Sequence, residues 1–280
     1  MRTVLEIIKM STGFLEGKGV EQARLQAELL VGHALGLRRM QLYLQFERPL
    51  QEPELETIRT LLRRRGQREP LQYVLGTTEF FGLTLKVDRR ALIPRPETEY
   101  LVAVLTERLA PPGRVLDLGT GTGAIALALA SHWRDCTVLA LEVSPDAVAL
   151  AAENAQATGL AGRVTVGQSD WFAAVTEGAQ FDLIVSNPPY LTAQETNETA
   201  PEVRLFEPRQ ALTPGASGLE AIERIVARAK GFLSPAGVLA LETGIAQHEV
   251  IAERLVAAGF ARQESLPDLT GRPRFVLAWR

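Results

Sequence analysis

The sequence predicts an α/β protein: a mostly parallel sheet covered by helices on both faces, preceded by a small helical bundle. Three observations predict it. From Arg114 onward, short apolar β-prone runs alternate with helical patterns. A glycine-rich turn, Gly119 to Gly123, joins the first of those runs to a helix. The first 75 residues carry helical periodicity and no strand-like run.

Taken in order, Val4, Leu5, Ile7 and Ile8 open a first helix, and Ala23, Leu25, Ala27, Leu29, Leu30 and Val31 fill a second. Pro53 followed by Leu55, Ile58, Leu61 and Leu62 makes a third, with Gly66 near its end. Such short helices are unstable alone in water, so they are expected to pack together, giving a helical domain over residues 1–75. Arg63-Arg64-Arg65 reads as a solvated helix face. Residues 76–90 read as a β-hairpin linker, because Leu83, Leu85 and Val87 alternate strictly with Thr84 and Lys86. A third region, 91–280, opens with Ile93-Pro94-Arg95-Pro96-Glu97-Thr98-Glu99; its prolines delay the next helix until just after Pro96. Strands are expected at Val115–Leu118, Val138–Leu141, Val164–Val166, Phe181–Val185, Val238–Leu241 and Arg274–Trp279. Helices are expected through Ala130 and over Pro145–Ala157, Leu219–Phe232 and Gln247–Ala258.

Composition narrows the functional class. Of 280 residues, 46% are hydrophobic and 22% charged, as in a soluble globular protein. No apolar run could span a bilayer, and charges are scattered from Met1 to Gly19, unlike a signal peptide, so a cytoplasmic location away from membranes is expected. Cys136 is the single cysteine, and His33, His132 and His248 show no metal-ligand spacing, so no metal site is expected. A net charge of −3 argues against a protein that tracks phosphates, and no stable nucleic-acid partner is expected.

Asp117-Leu118-Gly119-Thr120-Gly121-Thr122-Gly123-Ala124 lies between a strand and a helix, and Glu142 ends the next strand. Glycines let a ligand approach the main chain, and a carboxylate at the next strand end suits the hydroxyls of an adenosine ribose. The pair fits a nicotinamide cofactor or S-adenosylmethionine. Asp117 favours the second, whose ammonium and sulfonium welcome a negative charge that a pyrophosphate would not. After the third strand, Asp170 is placed to accept from the adenine amino group and Trp171 to lie against the ring.

Asn187-Pro188-Pro189-Tyr190 ends the fourth strand. Two prolines stiffen the loop and remove two backbone donors. The Asn187 side-chain oxygen and the Pro188 carbonyl remain as acceptors, a match for the two hydrogens of an NH2 group, and Tyr190 offers a flat face for a conjugated one. Both a carboxamide and an exocyclic base amine satisfy that chemistry. The residues therefore predict methylation of a planar NH2 nitrogen, with Asn187, Pro188 and Tyr190 as the catalytic set and Asn187 to Tyr190 as the substrate loop.

Several segments together resemble the HemK/PrmC family of protein-(glutamine-N5) methyltransferases. They are Glu69 to Gly76, Phe80-Phe81-Gly82, Leu92 to Glu99, Asp117 to Gly123, Ser169 to Phe172, Asn187 to Tyr190, Phe206-Glu207-Pro208 and Leu241-Glu242. The resemblance covers essentially the whole chain, and Ile93 to Thr98 is its most specific part. It implies a Rossmann-like class I methyltransferase domain that uses S-adenosyl-L-methionine. The implied substrate is the glutamine of the Gly-Gly-Gln motif in class-1 peptide chain release factors, with the front helices helping to dock it. By match it implies cofactor contacts from Gly119, Thr120, Gly121, Thr122, Gly123, Glu142, Trp171 and Asn187. The chain departs from the family pattern in having Glu142 where an Asp is common, and in Gln194 to Pro201. An amino-methyltransferase of adenine or guanine in nucleic acid is the alternative; a nicotinamide-dependent oxidoreductase fits less well.

Overall fold

The computed structural model describes Arg2 to Arg280. Two compact units make up the chain: the residues up to Gly76 together with Ala200–Phe206, and Thr77–Thr199 together with Glu207–Arg280.

The first unit holds α1 (Val4–Gly17), α2 (Ala23–Leu35), α3 (Arg39–Tyr43), α4 (Glu52–Gly66) and α5 (Leu71–Leu75). Thr3 starts α1 with a capping box: its hydroxyl accepts from Glu6 N–H, and the Glu6 carboxylate accepts from Thr3 N–H. Gly36 ends α2 in the left-handed conformation, which costs glycine nothing. Val4, Ile8, Val31, Leu42, Leu50 and Ile58 form one buried cluster, and Leu15, Ala27, Leu30, Leu61 and Val74 another.

Of the arginine run at the end of α4, Arg63 is solvated as its charge suggests, whereas Arg64 is half-buried and Arg65 is buried. Arg64 binds both oxygens of Glu69 and the carbonyls of Tyr73 and Val74. Arg65 is buried and donates to Gln26 and to Glu202, and Arg68 grips Glu202 through two nitrogens. Segment 200–206 belongs to this unit because Glu202 anchors it there. Periodicity cannot find that contact, since its partners lie 137 and 134 residues apart.

The second unit begins with an antiparallel hairpin, β1 (Thr77–Phe80) and β2 (Leu83–Lys86). Its two-residue turn places Phe81 and Gly82 at positive φ, the geometry that matches strand twist. There follow α6 (Pro96–Arg108), β3 (Arg114–Leu118), α7 (Ala124–His132), β4 (Thr137–Glu142), α8 (Pro145–Ala157), β5 (Val164–Gln168), β6 (Phe181–Ser186) and α9 (Ala193–Glu198). After α10 (Pro201–Phe206), which lies in the anchored segment, come α11 (Glu220–Phe232), β7 (Leu233–Glu242), α12 (His248–Ala257), β8 (Arg262–Pro267) and β9 (Pro273–Trp279). Pro96 sits in the first turn of α6, where its missing N–H removes no helical bond.

The seven strands run in the order β5-β4-β3-β6-β7-β9-β8. Pairing is parallel from β5 to β7; β9 is antiparallel to β7 and to β8. Alternate strand residues feed opposite cores. Val115, Val138, Ala140, Leu183 and Val185 pack with residues of α6 and α7, whereas Leu116, Leu118, Leu141, Ile184 and Leu239 pack with residues of α11 and α12. Seven alanine-rich residues of α7, Ala124 to Ala130, are all buried.

Sequence pattern did not announce β8. Arg262-Gln263-Glu264-Ser265-Leu266-Pro267 is polar because the strand forms the sheet edge, where charges and proline discourage further pairing. Strand β7 also starts earlier than its apolar core, at Leu233.

Burial raises the Glu202 carboxyl, but hydrogen bonds from Arg68 and Arg65 outweigh it and hold the group at about 2. That lies below the unfolded value of about 4.3, so the clasp's stabilisation is complete above that pH and is lost as pH falls through about 2. Glu202→Gln is expected to destabilise the helical unit by about 2–4 kcal/mol at neutral pH, because Arg65 stays buried without its partner. Urea unfolding of the two proteins at pH 7 and pH 3 checks this; equal stability at pH 7 would contradict it.

Candidate active site

The strand register builds the site. Leu118 of β3 pairs with Leu141 of β4 on one side and Ser186 of β6 on the other. The chain therefore leaves the sheet at one level at Gly119, Glu142 and Asn187. The buried Ser186 hydroxyl donates to the Leu118 carbonyl at 2.7 Å and locks that level. Successive connections run outward from β3 to β4 and β5, then return to β6 on its other side. A crevice must open where the order reverses, at the carboxyl ends of β3 and β6. The structure has a cavity of about 340 Å³ there.

Of the residues singled out by sequence, Gly119, Thr120, Gly121, Thr122, Glu142, Asp170, Trp171, Asn187 and Pro189 line this cavity. Asp117, Gly123, Pro188 and Tyr190 do not reach its wall. Gly119 and Gly121 stand at φ +71° and +57°, where a side chain would strain the turn, and the N–H groups of Gly119 and Thr120 both bond the Leu141 carbonyl. Asn154 of α8 steadies the far side of the loop by donating to the carbonyls of Thr122 and Lys86.

Glu142 accepts from three main-chain groups: Gly121 N–H at 3.0 Å, Val143 N–H at 2.8 Å and Ser144 N–H at 3.1 Å. An ionised carboxylate has about four acceptor sites, so about one remains for a ligand hydroxyl. Asp117 lies beneath the loop and is fully buried. Its Oδ2 accepts from the Thr120 hydroxyl at 2.6 Å, and its Oδ1 has no hydrogen-bond partner among the described residues. Burial pushes its carboxyl up to about 7, and the nearby Glu142 adds to the rise. A cation beside the glycine loop would relieve both groups. Glycine cradle, strand-end carboxylate and orphaned buried oxygen together suit a ligand with a diol and positive charge.

Trp171 takes a positive φ of 52°, and its ring lies against the open face of Gly119, 3.5 Å from where a Cβ would stand. Asp170 pairs with Arg224 at 2.6 Å. Val143 leaves half its surface exposed on the cavity wall, an apolar face for a planar ring that sequence reading missed.

The substrate loop is held from behind. Asn187 Nδ2 donates to Thr98 Oγ1 at 2.9 Å, and the Thr98 hydroxyl donates to Glu242 Oε2 at 2.7 Å. Tyr190 Oη donates to Glu242 Oε1 at 3.2 Å, while the Arg274 guanidinium stands over the Tyr190 ring. One face of the tyrosine is thus taken. Burial pushes Glu242 up to about 7 and the Tyr190 phenol well above its ordinary value. Gln247 donates to the Tyr190 carbonyl at 3.0 Å, and the bare Cα of Gly218 lets that carbonyl approach. The buried Glu207 accepts from Arg95 at 2.7 Å and from Ile93 N–H at 3.4 Å, pinning the Ile93 to Thr98 segment.

Thr98 and Glu242 entered the sequence reading only as parts of family segments. One signal was available. Leu239-Ala240-Leu241-Glu242 repeats the pattern of Leu139-Ala140-Leu141-Glu142: an acid closing an otherwise apolar parallel strand.

Known proteins resemble this chain in sequence and in fold. Residues 6–76 match the PrmC N-terminal domain, and 96–267 match the methyltransferase small domain. Solved structures share the fold. The 16S rRNA N2 methyltransferase RsmC of T. thermophilus, with AdoMet and guanosine, superposes with a TM-score of 0.54 at 24% identity, covering 73% of this chain and 49% of that one. The hMettl16 catalytic domain, in complex with a MAT2A 3′UTR hairpin, gives 0.57 at 20% identity, covering 82% and 80%. The release factor glutamine methyltransferase of Geobacter sulfurreducens is 42% identical over 98% of this chain and 95% of its own. That of Cereibacter sphaeroides is 44% identical over 94% of each. That of Salmonella typhimurium is 42% identical over 91% of each. With such identity along nearly its whole length, the chain belongs to the release factor glutamine methyltransferase family.

Proposed function

We propose that this protein transfers a methyl group from S-adenosyl-L-methionine to the side-chain amide nitrogen, N5, of the glutamine in the Gly-Gly-Gln motif of class-1 peptide chain release factors. One observation carries the planar NH2 target: Asn187 turns its NH2 toward Thr98, which leaves Oδ1 as an acceptor on a cavity wall next to the Gly119 to Thr122 loop. Family membership supports the choice of a glutamine amide over a base amine.

When bound, S-adenosylmethionine supplies an electrophilic methyl group carried on a sulfonium. Gly119 to Gly123 would cradle its amino-acid end, with Asp117 beneath as the balancing charge. Glu142 would accept from the ribose, and Val143, Trp171 and Asp170 would hold the adenine. Asn187 Oδ1 would accept one hydrogen of the substrate amide; the Pro188 carbonyl, expected from the sequence to accept the other, does not line the cavity. An amide nitrogen is a weak nucleophile because its lone pair is delocalised; accepting from its N–H raises electron density on it and holds it in line. Tyr190, clamped by Glu242 and Arg274, keeps the rigid loop in register. The front helical unit would dock the release factor.

A direct assay uses labelled S-adenosylmethionine with a release factor, its Gly-Gly-Gln variant carrying Gln→Ala, and ribosomal RNA. Label is expected in the parent factor alone; equal label in the variant, or label only in RNA, would overturn the reading. Asn187→Ala is expected to lower kcat by about 100-fold or more, with a much smaller loss of cofactor affinity. Unchanged kcat would refute the acceptor role.

Asp117 makes cofactor affinity depend on pH. A bound cation favours the ionised carboxylate, whose value in the free protein is about 7. Binding should therefore tighten as pH rises from 5.5 to 7, by up to about tenfold per unit below that value. Calorimetric titration checks this, and Asp117→Asn should flatten the dependence. A parent protein whose affinity is flat over that range would contradict it.

A further inference from the structure

The chain Asn187–Thr98–Glu242 has a proton count that decides which end of the Asn187 amide faces the cavity. Thr98 has one hydroxyl proton. With Glu242 ionised, that proton goes to Glu242 Oε2, and the Thr98 oxygen must then accept from its other neighbour. Asn187 can satisfy it only with Nδ2, so Oδ1 is left for the cavity. Were the amide turned over, two acceptor oxygens would face one shared proton, and an NH2 group would meet the NH2 group of a substrate.

We propose that Thr98 and Glu242 are positioning residues for methyl transfer: ionised Glu242, acting through the Thr98 hydroxyl, selects the amide orientation in which Asn187 accepts from the substrate nitrogen. The consequence for catalysis rests on the amide-methylation reading above; the orientation itself does not.

Protonation of Glu242 reverses the logic. A carboxylic acid can donate to Thr98, Thr98 can then donate onward, and Asn187 satisfies it by presenting Oδ1 inward. Sequestration from water sets where this happens. Burial pushes Glu242 up to about 7; Thr98, Arg274 of β9 and Tyr190 favour its ionised form, and Glu97 of α6 opposes it. The acceptor-out orientation is therefore complete above neutral pH and is lost as pH falls through about 7. Asp117 titrates in the same range but sits under the cofactor loop. Its protonation is read in cofactor affinity, whereas that of Glu242 is read in kcat at saturating cofactor.

The test pairs Thr98→Val, which keeps the shape and loses the hydroxyl, with Thr98→Ser, which keeps the hydroxyl. Thr98→Val is expected to lower kcat by about 10- to 100-fold with cofactor affinity within about threefold, and Thr98→Ser to restore most of it. Glu242→Gln has no proton to gain near neutrality, so the fall in kcat below pH 7 should disappear. Nitrogen-15 NMR of the Asn187 side-chain NH2, identified by its absence in Asn187→Asp, reads orientation without turnover. One protected, hydrogen-bonded proton is expected in the parent. It should be lost in Thr98→Val and shift with pH near 7 in the parent but not in Glu242→Gln.

Unchanged Asn187 resonances in Thr98→Val would overturn the proposal, as would equal kcat loss in the Val and Ser variants, which would mark Thr98 as packing only. Should the parent fail to methylate release factor, the function reading falls while the NMR comparison still decides the relay.

Discussion

The parallel register of β3 against both β4 and β6 is the constraint on which the site depends. Leu118 is level with Leu141 and Ser186, so the glycine loop, the strand-end acid and the asparagine loop emerge side by side. A shift of one residue in either pairing would turn every side chain of that strand to the opposite face. It would exchange residues between the two cores and carry Glu142 or Asn187 away from Gly119. Burial on both faces forbids such a slip, because Val115, Leu116, Ile184 and Val185 are all buried among apolar neighbours. The hydrophobic cores that stabilise the fold therefore also set the geometry of the site.

Three carboxylates lie at or next to the ends of apolar strands and differ in what surrounds them: Asp117, Glu142 and Glu242. Glu142 is satisfied by three main-chain N–H groups and keeps a place on the cavity wall. Asp117 and Glu242 are sealed from water, and burial brings each up to about 7. Their hydrogen-bond partners differ. Asp117 has an orphaned oxygen beneath a loop suited to a cationic ligand, while Glu242 has both oxygens engaged, by Thr98 and Tyr190. In the proposed reaction the first would balance the charge of the cofactor, and the second orders a chain of hydrogen bonds that reaches Asn187. In a low-dielectric setting each is worth more than it would be at the surface, and each costs more if its partner is missing.

Much of this was readable in advance because it depends on local chemistry. Gly119 and Gly121 need positive φ, Pro96 suits a helix start, and the two prolines after Asn187 remove backbone donors from its loop. Alternation of strands and helices followed from periodicity, and the helix Pro145–Ala157 begins and ends where its pattern does. What escaped was set by neighbours distant in sequence. Arg65 looked solvated until Glu202 closed on it, and β8 drew no assignment because an edge strand carries charge in place of an apolar pattern. The Asn187 side-chain oxygen was expected to be an acceptor, but the orientation that frees it depends on Thr98 and Glu242, 89 residues before it and on β7 after it. The expectation that Tyr190 offers an open face met a guanidinium on one side.

The central claim is that Asn187 acts as an acceptor toward an amide nitrogen. A crystal structure of the protein with a Gly-Gly-Gln peptide and the demethylated cofactor product tests it most directly. The glutamine amide nitrogen is expected at about 2.9 Å from Asn187 Oδ1, with Asn187 Nδ2 still on Thr98. A glutamine whose carbonyl oxygen, rather than its nitrogen, meets Asn187, or an Asn187 that has left Thr98, would contradict it.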